Sequence, residues 1–192
     1  MNPTRLFDCI DVQLARFPQE AMFAAKEKGG IWRKYSTAEV KDIVERLAAG
    51  LLHLGISGND MSVEKRDKIA IISHNRPEWM MLDMAVQKTG AVLVPIYPTL
   101  AATELEFVLN DAEVKLVFVS DKELFQKVQN LRDKVPALKA VFTFDYIQPS
   151  LHWNEIMSKA GEDDFKKLAI AASSIRYEDM ATIIYTSGTT GT

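Results

Sequence analysis

The chain carries a single cysteine, Cys9, so neither an intrachain disulfide nor a cysteine-rich zinc site can form, which fits a reducing compartment such as the cytoplasm. Cys9 itself reads as a small apolar residue. Long apolar runs are lacking too. The longest, from Ala91 to Pro98, is short and interrupted by Pro95, and no extended apolar segment follows Arg5, so neither a membrane span nor a secretory leader is expected. Basic residues are not in excess. Lys and Arg number 23 against 26 Asp and Glu, giving a net charge of -3 and a pI near 5.7, which argues against a nucleic acid partner. The three histidines, His53, His74 and His152, are irregularly spaced without a Cys/Glu cluster beside them, so no metal site is expected and each reads as solvated or part of a turn.

What is present is a globular composition: 47% apolar residues in 192 suffice for the core of one domain. Val40, Ile43, Val44, Leu47, Ala48, Leu51 and Leu54 recur at helical spacing between Ser36 and Leu54. Ser36 with Glu39 reads as a capping box, and Gly55 stands at a left-handed C-cap. After a polar connection over 57–67, the run Ile69, Ala70, Ile71, Ile72 has the character of a strand buried on both faces. Asn75, Arg76 and Pro77 open a second helix, with Asn75 as its cap, which Gly90 ends; Trp79, Met80, Met81 and Met84 read as its core face.

The order repeats. Strands are expected over 91–95, 114–119 and 138–144, helices over 103–110, 123–131 and 153–159. The charged segment 161–167 reads as a solvated face, and 181–186 as a further strand. Such alternation defines an α/β fold, a mostly parallel sheet with flanking helices.

The chemistry sits at the end. Thr186, Ser187, Gly188, Thr189, Thr190, Gly191 and Thr192 place two glycines among five hydroxyl side chains directly after an apolar run. Glycine lets backbone N–H groups turn inward, and hydroxyls donate to oxygens without adding bulk, so the combination suits a phosphate chain. Other motifs read as structural. In NRPEW (75–79) Pro77 sets a first helical turn; the prolines of VPIYPT fix an extended path in which Tyr97 packs; the adjacent carboxylates Glu178 and Asp179 point apart on an extended segment.

YTSGTTGT over 185–192 resembles the phosphate loop of the adenylate-forming acyl-CoA synthetase, luciferase and peptide-synthetase family, whose motif continues into Pro-Lys-Gly. NRPEW, VPIYPTL (94–100), LND (109–111), KLVFVSD (115–121) and EDMATIIYTSGTTGT (178–192) resemble the same family in the same order, in a flavour close to long-chain fatty acid-CoA ligases. The resemblance implies the luciferase-like adenylation fold, with 1–192 as an incomplete N-terminal domain. It implies ATP, Mg2+ and CoA as cofactors and co-substrates, and a fatty acid as substrate. Thr186, Ser187, Gly188, Thr189, Thr190 and Gly191 are the implied phosphate contacts. It supplies no catalytic residue and no metal ligand within these 192 residues, and implies that the chain alone is inactive. A carboxylic acid other than a fatty acid, a stand-alone nucleotide-binding or interaction module, peripheral membrane contact and a homodimer stay open. A sheet built to continue is expected to leave an uncovered edge and a tendency to aggregate.

Overall fold

The computed structural model describes residues 4–27 and 29–186. Five strands form an all-parallel sheet: β3 (Lys68–Ile72), β4 (Val92–Ile96), β5 (Val114–Val119), β6 (Ala140–Thr143) and β7 (Leu151–His152), in the order β4-β3-β5-β6-β7. A short antiparallel hairpin, β1 (Phe23–Lys26) with β2 (Trp32–Tyr35), stands apart from it. All five residues of β3 are buried, as the unbroken apolar run implies for a strand covered on both faces.

The pleat divides the core in two. Ile69 and Ile71 face one side, with Leu93, Leu116, Phe118 and Phe142. There α1 (Asp8–Arg16), α2 (Thr37–His53), α3 (Pro77–Lys88), α6 (Asn154–Lys159) and α7 (Glu162–Ser174) supply the cover. Ala70 and Ile72 face the other, with Val94, Val117 and Val119, under α4 (Ala102–Asp111) and α5 (Lys122–Gln129). On the thicker side Phe118 stacks on Phe142 with ring centroids 5.2 Å apart, and Trp153 meets Phe144 edge-on at 5.5 Å.

The helix ends follow their local chemistry. Ser36 Oγ accepts from the Glu39 N–H at the start of α2, but the Glu39 carboxylate pairs with Arg33 at 2.7 Å. Gly55 closes that helix at φ +76 and Gly90 follows α3 at φ +80, as the sequence predicts. Midway along α2, Gly50 is required by packing. A Cβ there would lie 2.2 Å from the Ile156 carbonyl oxygen, so only glycine lets α6 come this close.

Several expectations are corrected. Glu162, Asp163, Lys166 and Lys167 are exposed as the solvated face expected, but Asp164 is not, and the segment opens α7, whose first-turn acids suit a helix N-terminus. Asp164 is buried there, held at about 2 by the Gly161 N–H, then by Lys167 and His53. His53 therefore is not merely solvated, since its Nδ1 lies 3.0 Å from Asp164 Oδ2 and links α2 to α7. His152 is buried in β7, its ring stacked on Tyr146 at 3.7 Å and its Nε2 2.9 Å from the Phe144 carbonyl oxygen; burial holds its pKa below the ordinary histidine value. Met80 is exposed, whereas Met81 and Met84 are buried. Cys9 is exposed on α1. The polar connection over 57–67 is wound around the buried Asp67, whose carboxylate accepts from the Ser57 N–H at 2.9 Å and Asn59 Nδ2 at 3.3 Å and pairs with Lys115.

Candidate nucleotide site

The run 181–186 is not a regular strand. It meets the outer side of β4 through one parallel bridge, Leu93 with Thr182. The Leu93 N–H donates to the Ala181 carbonyl at 3.3 Å, and the Leu93 carbonyl accepts from the Ile183 N–H at 3.0 Å and from Thr182 Oγ1 at 2.9 Å. Ile183 and Tyr185 turn toward the face covered by α4, where the Tyr185 hydroxyl donates to Asp111 Oδ2 at 2.5 Å and its ring meets Phe107 edge-on. Burial, and then the Asp111 carboxylate, raise the Tyr185 pKa and keep the phenol protonated as a donor.

Because the bridge is parallel, the chain runs in the same sense as β4, and Thr186, exposed, leaves at the carboxyl end of the sheet. Ligands of open parallel sheets bind at that end. Of the six phosphate contacts implied by sequence, Thr186 is placed so; Ser187, Gly188, Thr189, Thr190 and Gly191 lie outside the described residues.

A second feature of the same end escaped sequence reading. Strand order reverses between β3 and β5, and a cleft of 1320 Å³ opens over the carboxyl ends of β3, β5 and β6, bordered by Trp32, His74, Asp121 and Tyr146. Arg76 is its fixed point. The guanidinium donates to both Glu78 carboxylate oxygens at 2.9 and 3.1 Å, to Asp145 Oδ1 at 3.1 Å and to the Ser120 carbonyl at 3.3 Å, over the Phe144 ring at 5.2 Å. Burial opposes its charge, but Glu78 and Asp145 more than offset that and raise its pKa. Arg76, not Asn75, is the N-cap residue of α3 and makes no side-chain cap; Asn75 is exposed toward the cleft. Asp121 caps α5 through the Leu124 N–H at 3.1 Å and accepts from Ser120 Oγ at 2.6 Å. Burial pushes its pKa up, yet Ser120, the Leu124 amide and His74 bring it below the ordinary value. These groups come from positions about 45 and 70 residues apart in sequence, with no spacing signal to announce them.

Tyr97, expected to pack, stands 74% exposed, while Lys127 ties its loop down through the Pro98 carbonyl at 3.2 Å and that of Leu100. Among the described residues no group of three or more His, Cys, Asp or Glu could hold a metal ion, and no helix is long and apolar enough to cross a membrane.

A parallel α/β sheet with Thr186, the first residue of a Gly/Thr/Ser run in the sequence, leaving at its carboxyl end defines the fold class, and comparison with known proteins makes the class specific. The chain belongs to the AMP-binding enzyme family, whose model matches residues 10–192. It is 34% identical over 163 residues to the long-chain-fatty-acid–CoA ligase FadD15 of Mycobacterium bovis, covering 84% of this chain and 26% of that protein. It is 30% identical over 203 residues to long chain acyl-CoA synthetase 4 of Arabidopsis thaliana, covering 96% and 28%. Two solved structures share the fold at a TM-score of 0.75. They are a long-chain-fatty-acid-CoA ligase (FadD1) from Archaeoglobus fulgidus (23% identity, 97% of this chain and 35% of that one) and the anthranilate CoA ligase AuaEII in complex with anthranoyl-AMP (20%, 99% and 34%). The chain thus spans about a quarter of the length of the curated relatives it matches.

Proposed function

We propose that this chain supplies the triphosphate-facing part of an AMP-forming fatty acid–CoA ligase, residues 1–192 being the front of its adenylation domain. In that reaction a carboxylate oxygen attacks the α-phosphorus of ATP, the bond to the β-phosphate oxygen breaks and pyrophosphate leaves. The CoA thiolate then attacks the acyl carbon and AMP departs. The observation that carries the reading is the parallel docking of 181–186 on β4, which delivers Thr186 to the carboxyl end of the sheet with the Gly/hydroxyl run directly after it. Thr186, Ser187, Thr189 and Thr190 are the proposed hydroxyl donors to the β- and γ-phosphates, and Gly188 and Gly191 permit close backbone approach. The proposal takes Mg2+ as counter-ion of the triphosphate. It includes a cytoplasmic setting, peripheral contact with a membrane that supplies the acid, and pairing of two copies through the N-terminal segment, where Leu6 and Phe17 are exposed.

One experiment separates this from a stand-alone nucleotide-binding module, which the flavodoxin-like strand order favours. Alone, the 192-residue chain is expected to bind ATP with a dissociation constant no tighter than about 1 mM, since most of the relatives' length is not in it. Micromolar affinity by calorimetry favours the module. In a protein of the relatives' length carrying this segment, palmitate-dependent ATP–pyrophosphate exchange is expected to fall on the order of 100-fold with Ser187→Ala plus Thr189→Val. Exchange indifferent to that pair overturns the assignment.

A further inference from the structure

A cavity of 340 Å³ lies at the other end of the sheet, between the start of α1, the end of α3 and the segment 175–181. Arg66 lines it and is only 3% exposed. Its Nε donates to the Gly90 carbonyl at 2.6 Å, while its two terminal nitrogens have no hydrogen-bond partner among the described residues. Among the described residues only Asp11 Oδ1 is fully buried without a hydrogen-bond partner, so the unfilled Arg66 fork opens onto the cavity, where it can receive an oxyanion whose paired oxygens match its fixed geometry. Burial lowers its pKa, and Asp179 works against that without forming an ion pair with it.

Arg176 lines the same cavity, exposed and without a described side-chain partner. Arg5, the third arginine of the wall, is occupied by Asp8 at 2.8 Å and by the carbonyls of Ala172 and Ile175. One carboxylate, that of Asp179, also faces the space; its Oδ2 accepts the Arg176 N–H at 2.7 Å. The free terminal nitrogens of Arg66 and the guanidinium of Arg176, beside one carboxylate, suit an anion that retains a proton. Arginine donors take its bare oxygens, and Asp179 accepts from its hydroxyl.

We propose that this cavity binds inorganic hydrogen phosphate, gripped by Arg66 and Arg176 and selected through its proton by Asp179. Sulfate has the same shape without the proton, so it meets Asp179 as an unrelieved repulsion. Arg176 and Asp179 stand just ahead of 181–186, so the bound anion fastens to the body of the domain the stretch that leads to Thr186.

Calorimetry on the whole chain at pH 7 tests this, with sodium phosphate, sodium sulfate and sodium chloride at matched ionic strength. Phosphate is expected to bind with a dissociation constant on the order of 1 mM, and sulfate at least about tenfold more weakly. Arg176→Ala, at an exposed position, is expected to weaken phosphate about tenfold with the thermal melt unchanged. Arg66→Lys is expected to do the same if it folds, and Asp179→Asn to erase the preference over sulfate. Phosphate is further expected to slow exchange of the Ile183 amide. No phosphate binding above the chloride control overturns the proposal. So does binding unchanged by Arg176→Ala, and so does equal affinity for sulfate in the unaltered chain. Ser187→Ala is expected to leave phosphate affinity unchanged; a loss there assigns the binding to the phosphate loop and overturns it as well.

Discussion

Two apolar runs in this chain are close in composition and opposite in fate. KIAII over 68–72 becomes β3, with every residue buried between β4 and β5 and under helices on both faces. ATIIY over 181–185 makes one bridge with Leu93, and its Thr182 and Ile184 stay exposed while Ile183 and Tyr185 are half-buried. The difference lies in the neighbours. A β-branched run supplies the capacity to be a strand, and partners on each side and cover on each face turn it into one. The interior of the sheet therefore carries stability, and its outer margin leads to the Gly/hydroxyl run proposed to bind phosphate.

The contrast breaks if the two runs respond alike to truncation. Ile71→Ala, at a fully buried site, is expected to cost about 4 kcal/mol in urea unfolding, whereas Ile184→Ala, largely in solvent, is expected to stay within about 0.5 kcal/mol. Gly50→Ala comes next, at about 2 to 3 kcal/mol, because the new methyl must push back the Ile156 backbone and with it the layer covering the interior. Retention of full stability in this variant would show that α6 does not hold that layer in place.

The far margin at β7 answers to pH. His152 is neutral in the fold with its pKa held below 6.5, so the unfolded chain binds its proton first as pH falls. The stability from its burial is complete above about pH 6.5 and declines as pH drops toward the lower folded value, a slope that His152→Gln should remove from melts taken between pH 7 and 5. The smallest effect belongs to the β4 margin. Tyr185→Phe removes the hydrogen bond to Asp111 and is expected to cost about 1 kcal/mol or less, visible as faster amide exchange at Ile183 with little change in the global midpoint. A large fall in global stability would move this margin into the cooperative core.

Much of the sheet was readable because burial on both faces leaves unbroken apolar runs. The strands at 68–72 and 114–119 and the helix after Ser36 follow from pattern and caps alone. Helix α7 leaves little helical signal because its buried stripe is thin, with Leu168 the one buried hydrophobic residue on it, and the charges at its start read only as a solvated face. The hairpin β1–β2 gives no readable signal because four-residue strands carry too little alternation to separate from coil. Motif order identified the family, whereas the cleft around Arg76 was invisible, since Ser120 and Asp145 reach it only through the β3-β5-β6 order.

The winding of 57–67 about Asp67 bears on the sequence of events in folding. One carboxylate gathers an amide from Ser57, an amide nitrogen from Asn59 and the ammonium of Lys115, a residue on β5. The Ser57 and Asn59 bonds are local, but the Lys115 pair forms only once the chain has travelled through β4 and returned to lay β5 beside β3, so completion of the set registers assembly of the sheet's centre. A protection factor measured at the Ser57 amide should therefore appear in step with those of β5 and ahead of that at Ile183, making a surface connection the clock for the interior.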